Sequence, residues 1–266
     1  MAMEMVSKLP YNHPYRWDGS EFGKPKLWRP NEVGSNLALW LDAEDAASIT
    51  LNGATVSQWN DKSGNGRNVV QPTAILQPTY TAGAINIHPA MTFDSTRWME
   101  NISFVIPTAT VSTFIVYQDT LGVSSTRRML NYYVLPYSSG SVIFASASAG
   151  YRNPENSGTV FTYQSSPTIL SYTRPSTTLQ QVWIDGTFGN QITNTTTNFT
   201  TSNLMVGNDG GGFGGPFNGL IAEVVVMTQP ISAVLREKVE GYFAWKWGLQ
   251  ANLPVGHPYK SLPPTV

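Results

Sequence analysis

From Asn36 to Val226 the chain is written in short apolar or alternating runs separated by polar turns. Leu37-Ala38-Leu39-Trp40-Leu41 is apolar throughout and stops at Asp42, whereas Ala54-Thr55-Val56-Ser57-Gln58-Trp59 alternates before the turn Asn60-Asp61-Lys62-Ser63-Gly64-Asn65-Gly66. Further strands are predicted over 90–93, 112–117, 128–132, 141–145, 168–172, 181–185, 204–207 and 220–226. So many short strands with turns between them predict a sandwich or barrel. One segment has a helical period instead. Leu235, Val239, Tyr242 and Phe243 fall at i, i+4, i+7 and i+8, Ser232 can cap the start and Gly248 can end it, which predicts a helix over 233–247. Its apolar stripe is expected to cover an edge or end of the sandwich.

The two flanks follow neither period. Residues 1 to about 30 carry Pro10, Pro14, Pro25 and Pro30, which favour an extended backbone. Tyr11, Tyr15, Trp17, Phe22, Leu27 and Trp28 make this arm too apolar to stay in water. It therefore either packs along its own domain or docks on another subunit, and in the second case Tyr11, Tyr15, Trp17, Phe22 and Trp28 are the anchoring residues. The tail from Leu253 to Pro264 is again extended. With no internal repeat or linker between 36 and 260, the expected organisation is an N-terminal anchoring arm over 1–32 and one β domain over 33–262.

Composition sharpens this picture. The 266 residues include 27 Thr, 23 Gly and 31 aromatics, a β-favouring mixture, and only 12% are charged. The formal net charge of −1 offers no electrostatic footprint for nucleic acid or for an anionic membrane. No run approaches the ~20 apolar residues of a bilayer span, and MAMEMVSKLP lacks the apolar core of an export signal. The absence of cysteine excludes disulfides, thiolate metal sites and cysteine nucleophiles. A Thr-rich β protein without an export signal is a common profile among virion proteins.

The order LALWLDAEDAASIT, VSQWNDKSGNGRN, VWIDGT, LMVGND, FNGLIAEVVVM, LREKVEGYFAWKWGL and LPVGHPY resembles the laminin-G-like, concanavalin-A-like jelly-roll domains of phage virion and bacterial surface proteins, over about residues 33–262. The resemblance implies an all-β fold: a two-sheet antiparallel jelly-roll sandwich with one C-terminal helix and an extended N-terminal arm. It also implies carbohydrate or protein binding, and in many members a calcium ion in a loop at the sheet edge. The same fold hosts glycoside hydrolases.

A retaining glycosidase needs two carboxylates about 5 Å apart, and the Glu-x-Asp-x-x-Glu strand pattern that supplies them on this fold is missing. Asp42-Ala43-Glu44-Asp45 reads as turn chemistry, Glu237 and Glu240 as a solvated helix face. His13, His88 and His257 each precede proline without a partner at triad or zinc spacing. The expectation is no enzyme and no catalytic residue. Asp61 heads a segment with oxygen side chains at alternate positions, like the front of a calcium loop, but position 12 is Pro72 rather than Glu. Asp61 is thus at most a weak calcium candidate, and a hydrogen-bonded turn held by Asp61 and Asn65 is the first reading; no cofactor is required. The glycine-rich stretch 207–219 lacks a Gly-Lys-Ser/Thr signature and reads as a tight connection; the alternative is a ligand loop using Asn208, Asp209 and Phe213, beside Asp61 and Asn65. Asn101, Asn194 and Asn198 begin formal sequons, read as chance. Two functions remain. The first is a non-enzymatic virion structural or decoration protein on a capsid or tail surface, attached through its arm to other virion or surface-assembly subunits, with a homo-oligomer as an option. The alternative is a carbohydrate-binding adhesion or host-recognition module with glycan partners, placed on the virion or the cell surface. Neither involves nucleic acid or membrane insertion.

Overall fold

A computed structural model describes residues 26–106, 110–121, 127–134, 139–145, 149–153, 156–161, 164–193, 203–208 and 215–266. Its strands are β1 (Leu37–Asp42), β2 (Ile49–Asn52), β3 (Thr55–Trp59), β4 (Val69–Val70), β5 (Thr79–Ile85), β6 (His88–Asp94), β7 (Met99–Asn101), β8 (Val111–Asp119) and β9 (Arg127–Val134). There follow β10 (Ser139–Ala145), β11 (Ala149–Asn153), β12 (Asn156–Phe161), β13 (Thr168–Ser176), β14 (Leu179–Ile184), β15 (Thr187–Thr193), β16 (Asn203–Val206), β17 (Gly215–Pro216) and β18 (Asn218–Met227). Among the described residues one α-helix, α1, spans Ala233–Trp247.

The strands form two antiparallel layers. One runs β1-β18-β8-β13-β14-β15. The other runs β4-β7-β16-β9-β10-β11-β12, with β2 and β3 beside β4. The long β18 links them, because its first half also pairs with β6, β6 pairs with β5, and β5 pairs with β3. Apolar side chains of both layers merge into one core, and across it the Thr113 hydroxyl of β8 meets the Tyr132 hydroxyl of β9 at 2.8 Å. The all-β antiparallel sandwich with a C-terminal helix is what the sequence predicts. No helix among the described residues is long and apolar enough to cross a membrane.

The helix differs from expectation in where it lies. Rather than capping an edge, α1 packs on the outer face of the first layer, across β18, β8 and β13. That placement explains why β1, β8 and most of β13 and β18 are buried at successive positions, on both faces, and read as unbroken apolar runs. The ends of α1 follow the sequence closely: Ser232 Oγ accepts from the Leu235 amide at 3.1 Å, and Gly248 takes a left-handed φ of 69°.

Part of the arm belongs to this core. Leu27 forms a bridge with Thr265, the Trp28 amide donates to Pro264 O at 3.0 Å, and both side chains are buried. Trp28 meets Tyr242 of α1 edge-on at 6.0 Å between centroids. Its apolar surface is spent within its own chain, which corrects its assignment as an anchor on a partner. Tyr11, Tyr15, Trp17 and Phe22 lie outside the described residues.

Candidate ligand-binding surface

Three arrangements of polar side chains compete for a functional role, and two are closed. The first joins Asp42 of β1 to Glu223 of β18, direct partners across the ladder. Lys246 Nζ bridges them, 2.6 Å from Asp42 Oδ1 and 2.8 Å from Glu223 Oε2, and Lys62 reaches Asp42 Oδ2 at 2.8 Å. Glu223 also accepts from Trp40 Nε1 (2.7 Å), Tyr242 Oη (2.8 Å) and Trp247 Nε1 (2.6 Å). Burial pushes Glu223 above the usual carboxylate range. Burial acts on Asp42 in the same sense, but Lys246 and Lys62 outweigh it and hold Asp42 below that range. A carboxylate pair therefore exists, built from two strands distant in sequence rather than from one strand. It is enclosed between sheet and helix, with Glu223 fully buried and its acceptor sites filled by the chain's own donors.

The Asp61 turn is closed in the same way. Asp61 Oδ1 accepts from the amides of Trp40 (3.0 Å) and Ser63 (2.8 Å), and Oδ2 from Ser63 Oγ (2.7 Å) and the Arg67 amide (3.0 Å). Asn65 Nδ2 donates to Leu37 O at 2.8 Å. The carboxylate of Asp61 and the amide nitrogen of Asn65 thus fasten the turn to β1, the hydrogen-bonded arrangement given first from sequence. No group of three His, Asp or Glu among the described residues is placed to hold a metal ion. Asn208 is half-buried beside β16, while Asp209 and Phe213 lie outside the described residues. Asn101 uses Nδ2 on Asn68 O (2.7 Å) and Oδ1 on the Ser103 amide (2.9 Å), so the first sequon's amide is part of the fold.

The third arrangement is open, and the sequence did not single it out. Strands β14 and β15 form a hairpin whose turn residues, Asp185 and Gly186, both have positive φ (49° and 75°), as an Asp-Gly two-residue turn requires. Register places Trp183 opposite Phe188 and Gln181 opposite Gln191, so these four share one face of the hairpin. Phe188 is 51% exposed and meets Trp183 edge-on at 5.5 Å between centroids. Trp183 is itself fixed by the Arg236 guanidinium, 4.4 Å above its ring. Gln181 Nε2 donates to Gln191 Oε1 at 3.2 Å, which leaves one acceptor oxygen and one donor nitrogen of this amide pair without a partner among the described residues. A braced aromatic ring with a donor and an acceptor beside it is a platform for a ligand that has both an apolar face and hydroxyl groups.

Behind the platform lies a charged cluster that corrects the reading of Glu240 as solvated and brings His257 against it. Glu240 is fully buried, not solvated: Arg236 Nη1 contacts both its oxygens at 2.7 and 2.6 Å, and His257 Nε2 lies 3.2 Å from Oε2. Arg236 Nη2 reaches Glu237 Oε1 at 3.1 Å. At the hairpin turn, Asp185 accepts from the Ile169 amide at 2.8 Å, yet burial pushes its pKa up to about 6 against that hydrogen bond. Since the folded value lies above the unfolded one, the native state binds this proton more tightly. The corresponding stabilisation is complete below about pH 4 and is lost as pH rises through about 6. Asp185→Asn keeps an acceptor, tolerates the positive φ and carries no charge. It is expected to be more stable than the wild type by about 1–2 kcal/mol at pH 8, with the two melting curves converging near pH 4. A constant difference across that range would refute the assignment.

No protein-family model matches the chain, and no curated protein matches it in sequence. Solved structures do resemble it. Domain 4 of AbnA, a GH43 extracellular arabinanase from Geobacillus stearothermophilus, in complex with arabinotriose, is similar with a TM-score of 0.51 at 13% identity, covering 76% of this chain and 96% of that domain. A mutant GH54 α-L-arabinofuranosidase soaked with 4-nitrophenyl α-L-arabinofuranoside gives 0.52 at 9% identity, covering 74% of this chain and 50% of the enzyme. Trypanosoma rangeli sialidase in complex with the inhibitor DANA gives 0.45 at 12% identity, covering 74% of this chain and 31% of the sialidase. The likeness is one of fold, a β-sandwich of the kind the sequence motifs resemble. This chain spans half of the arabinofuranosidase and about a third of the sialidase.

Proposed function

We propose that this chain is a non-catalytic glycan-binding module whose contact surface is the β14–β15 hairpin. The observation that carries the reading is Phe188, exposed on an ordered strand, braced by Trp183 and flanked by the Gln181–Gln191 pair. A sugar ring presents a C–H face that packs on an aromatic ring, and its hydroxyls pair with the free amide oxygen and nitrogen. The platform is pre-organised, since Arg236 holds Trp183 and Trp183 holds Phe188, so little ordering accompanies binding. The fold shared with the arabinotriose-bound domain supports a binding role, and the enclosure of Asp42 and Glu223 supports an absence of catalysis. The attachment role once open to the whole arm is weakened by the burial of Trp28 in its own core, so the binding module takes precedence over a virion-decoration protein.

The test is titration of the full chain with oligosaccharides of arabinose, xylose, glucose and galactose. Phe188→Ala is expected to weaken binding at least tenfold while the melting temperature stays within about 2 °C, since the lost ring is half in water. Binding that survives Phe188→Ala unchanged, or no binding to any of these sugars at millimolar concentration, would overturn the reading.

A further inference from the structure

Resting on that reading, the charge arrangement around the hairpin specifies the class of glycan. We propose that the Phe188–Trp183 platform selects neutral sugars and disfavours glycans carrying a carboxylate or sulfate on the bound residue.

The argument starts from Arg236, the cation that lies against the platform. A free guanidinium there would be a fork-shaped receptor for a sugar carboxylate. This one is not free: Nη1 is committed to both oxygens of Glu240 and Nη2 to Glu237. Glu240 is fully buried, so releasing Arg236 to a ligand would strand an unpaired charge in the interior. His257 cannot take over that task as a bidentate partner, because it offers Glu240 a single ring nitrogen. The described lysines of α1 and the tail keep their charge but are tethered to other groups. Along α1, Lys238 donates to Thr265 O and Lys246 bridges Asp42 and Glu223, while in the tail Lys260 donates to the carbonyls of Gln250, Ala251 and Leu253.

In the cluster that touches Trp183, by contrast, carboxylates outnumber the guanidinium. Glu237 and Glu240 already balance Arg236 with one charge to spare, and Asp185 adds another carboxylate at the tip of the same hairpin. Glu237 is the one that matters most for an incoming ligand, because its side chain is 29% exposed and its carboxylate is a single guanidinium away from the Trp183 ring. An anionic sugar on Phe188 would therefore meet the Glu237 carboxylate while the guanidinium beside it is already committed. A neutral sugar meets only the ring and the two uncommitted amide atoms. Discrimination here comes from a repulsive element and not from an extra attractive contact.

The experiment compares matched pairs on the intact full chain at about pH 7.5 and low salt: xylo-oligosaccharides with and without glucuronate branches, and lacto-N-neotetraose with and without terminal sialic acid. The expected result is at least tenfold weaker binding of each acidic partner, with the gap shrinking as salt is raised. Glu237→Gln should narrow the neutral-to-acidic ratio by threefold or more. Acidic partners bound as well as or better than neutral ones, through a site still abolished by Phe188→Ala, would overturn this selectivity and leave the glycan site standing. Binding indifferent to Phe188→Ala would instead remove the site itself, and a ratio untouched by both salt and Glu237→Gln would show that charge is not the cause.

Discussion

Replacing Glu223 with alanine is expected to destabilise the protein by about 3–5 kcal/mol, the usual cost of breaking a buried ion pair from one side, and to lower its melting temperature by roughly 10 °C or more. Four donors converge on this one carboxylate: the indoles of Trp40 and Trp247, the Tyr242 hydroxyl and the Lys246 ammonium. Alanine would leave them all in a space too enclosed for bulk water, with Asp42 the one carboxylate left to Lys246. The partners come from β1, β18 and α1, so the cluster is what fastens the helix to the sheet, and its loss should loosen α1 first. Glu223→Gln is a graded control. It preserves shape and one acceptor oxygen but turns an NH₂ toward two of the four donors, so its melting temperature should fall between those of wild type and alanine variant. Thermal melts followed by near-ultraviolet circular dichroism, which senses Trp40 and Trp247, would decide the matter. An alanine variant melting within about 3 °C of wild type would mean that water or a shifted Lys246 rescues the donors.

That cluster also marks the limit of what could be read from the chain. Local signals were sufficient for local structure at two places: Ser232 and Gly248 bracket α1, and the Asp61 side chain closes its own loop, whereas Asp185, predicted as the end of a strand, belongs to the turn that follows it. The pairing of Asp42 with Glu223 is not local, since it depends on β1 and β18 lying side by side with α1 across them. A usable hint was present in the lone carboxylate inside Leu220-Ile221-Ala222-Glu223-Val224-Val225-Val226, because a charge amid a doubly buried strand must have partners. Glu240 misled for a related reason. Its spacing from Arg236 and Glu237 is that of a solvated helix face, and only the returning tail, with His257, covers it. The β15 strand was hidden by composition. Thr187-Phe188-Gly189-Asn190-Gln191 lacks alternation, and Gly189 sits at a register shift, so no strand signal marks the platform.

A methyl group at position 219 is expected to do nearly as much damage as the loss of Glu223, by overcrowding instead of by stranding charge. Gly219 has a φ of 153°, which L side chains rarely adopt, and it lies in β18 where that strand is held between β6 and β8. A Cβ there would fall 2.1 Å from Gln118 O, 3.0 Å from Asp119 Cα and 2.8 Å from Phe217 Cζ. The nearest of these is backbone, which cannot swing aside as a side chain can without opening the β18–β8 ladder. Gly219→Ala should therefore cost about 3 kcal/mol or more, combining overpacking with an unfavourable dihedral. Gly207→Ala provides a comparison at the other end of the glycine-rich stretch. Its Cβ would meet the Phe93 ring at 2.4 Å with φ at 87°, a clash with a side chain that is itself buried, so a smaller but clear loss is expected. Gly256→Ala, with nothing within 4 Å, should be neutral to about 0.5 kcal/mol. The order 219, 207, 256 in urea midpoints would assign the two terminal glycines of the 207–219 connection to packing: residue 207 closes it through the Phe217 amide at 2.8 Å, and Phe217 is core. Glycan affinity, read on the Gly207→Ala protein below its melting transition, should be unaltered, because the β14–β15 platform is built from other strands. A Gly219→Ala protein as stable as wild type would mean that β18 can shift against β8, and the register that sets Glu223 opposite Asp42 would then be softer than the hydrogen bonds around it imply.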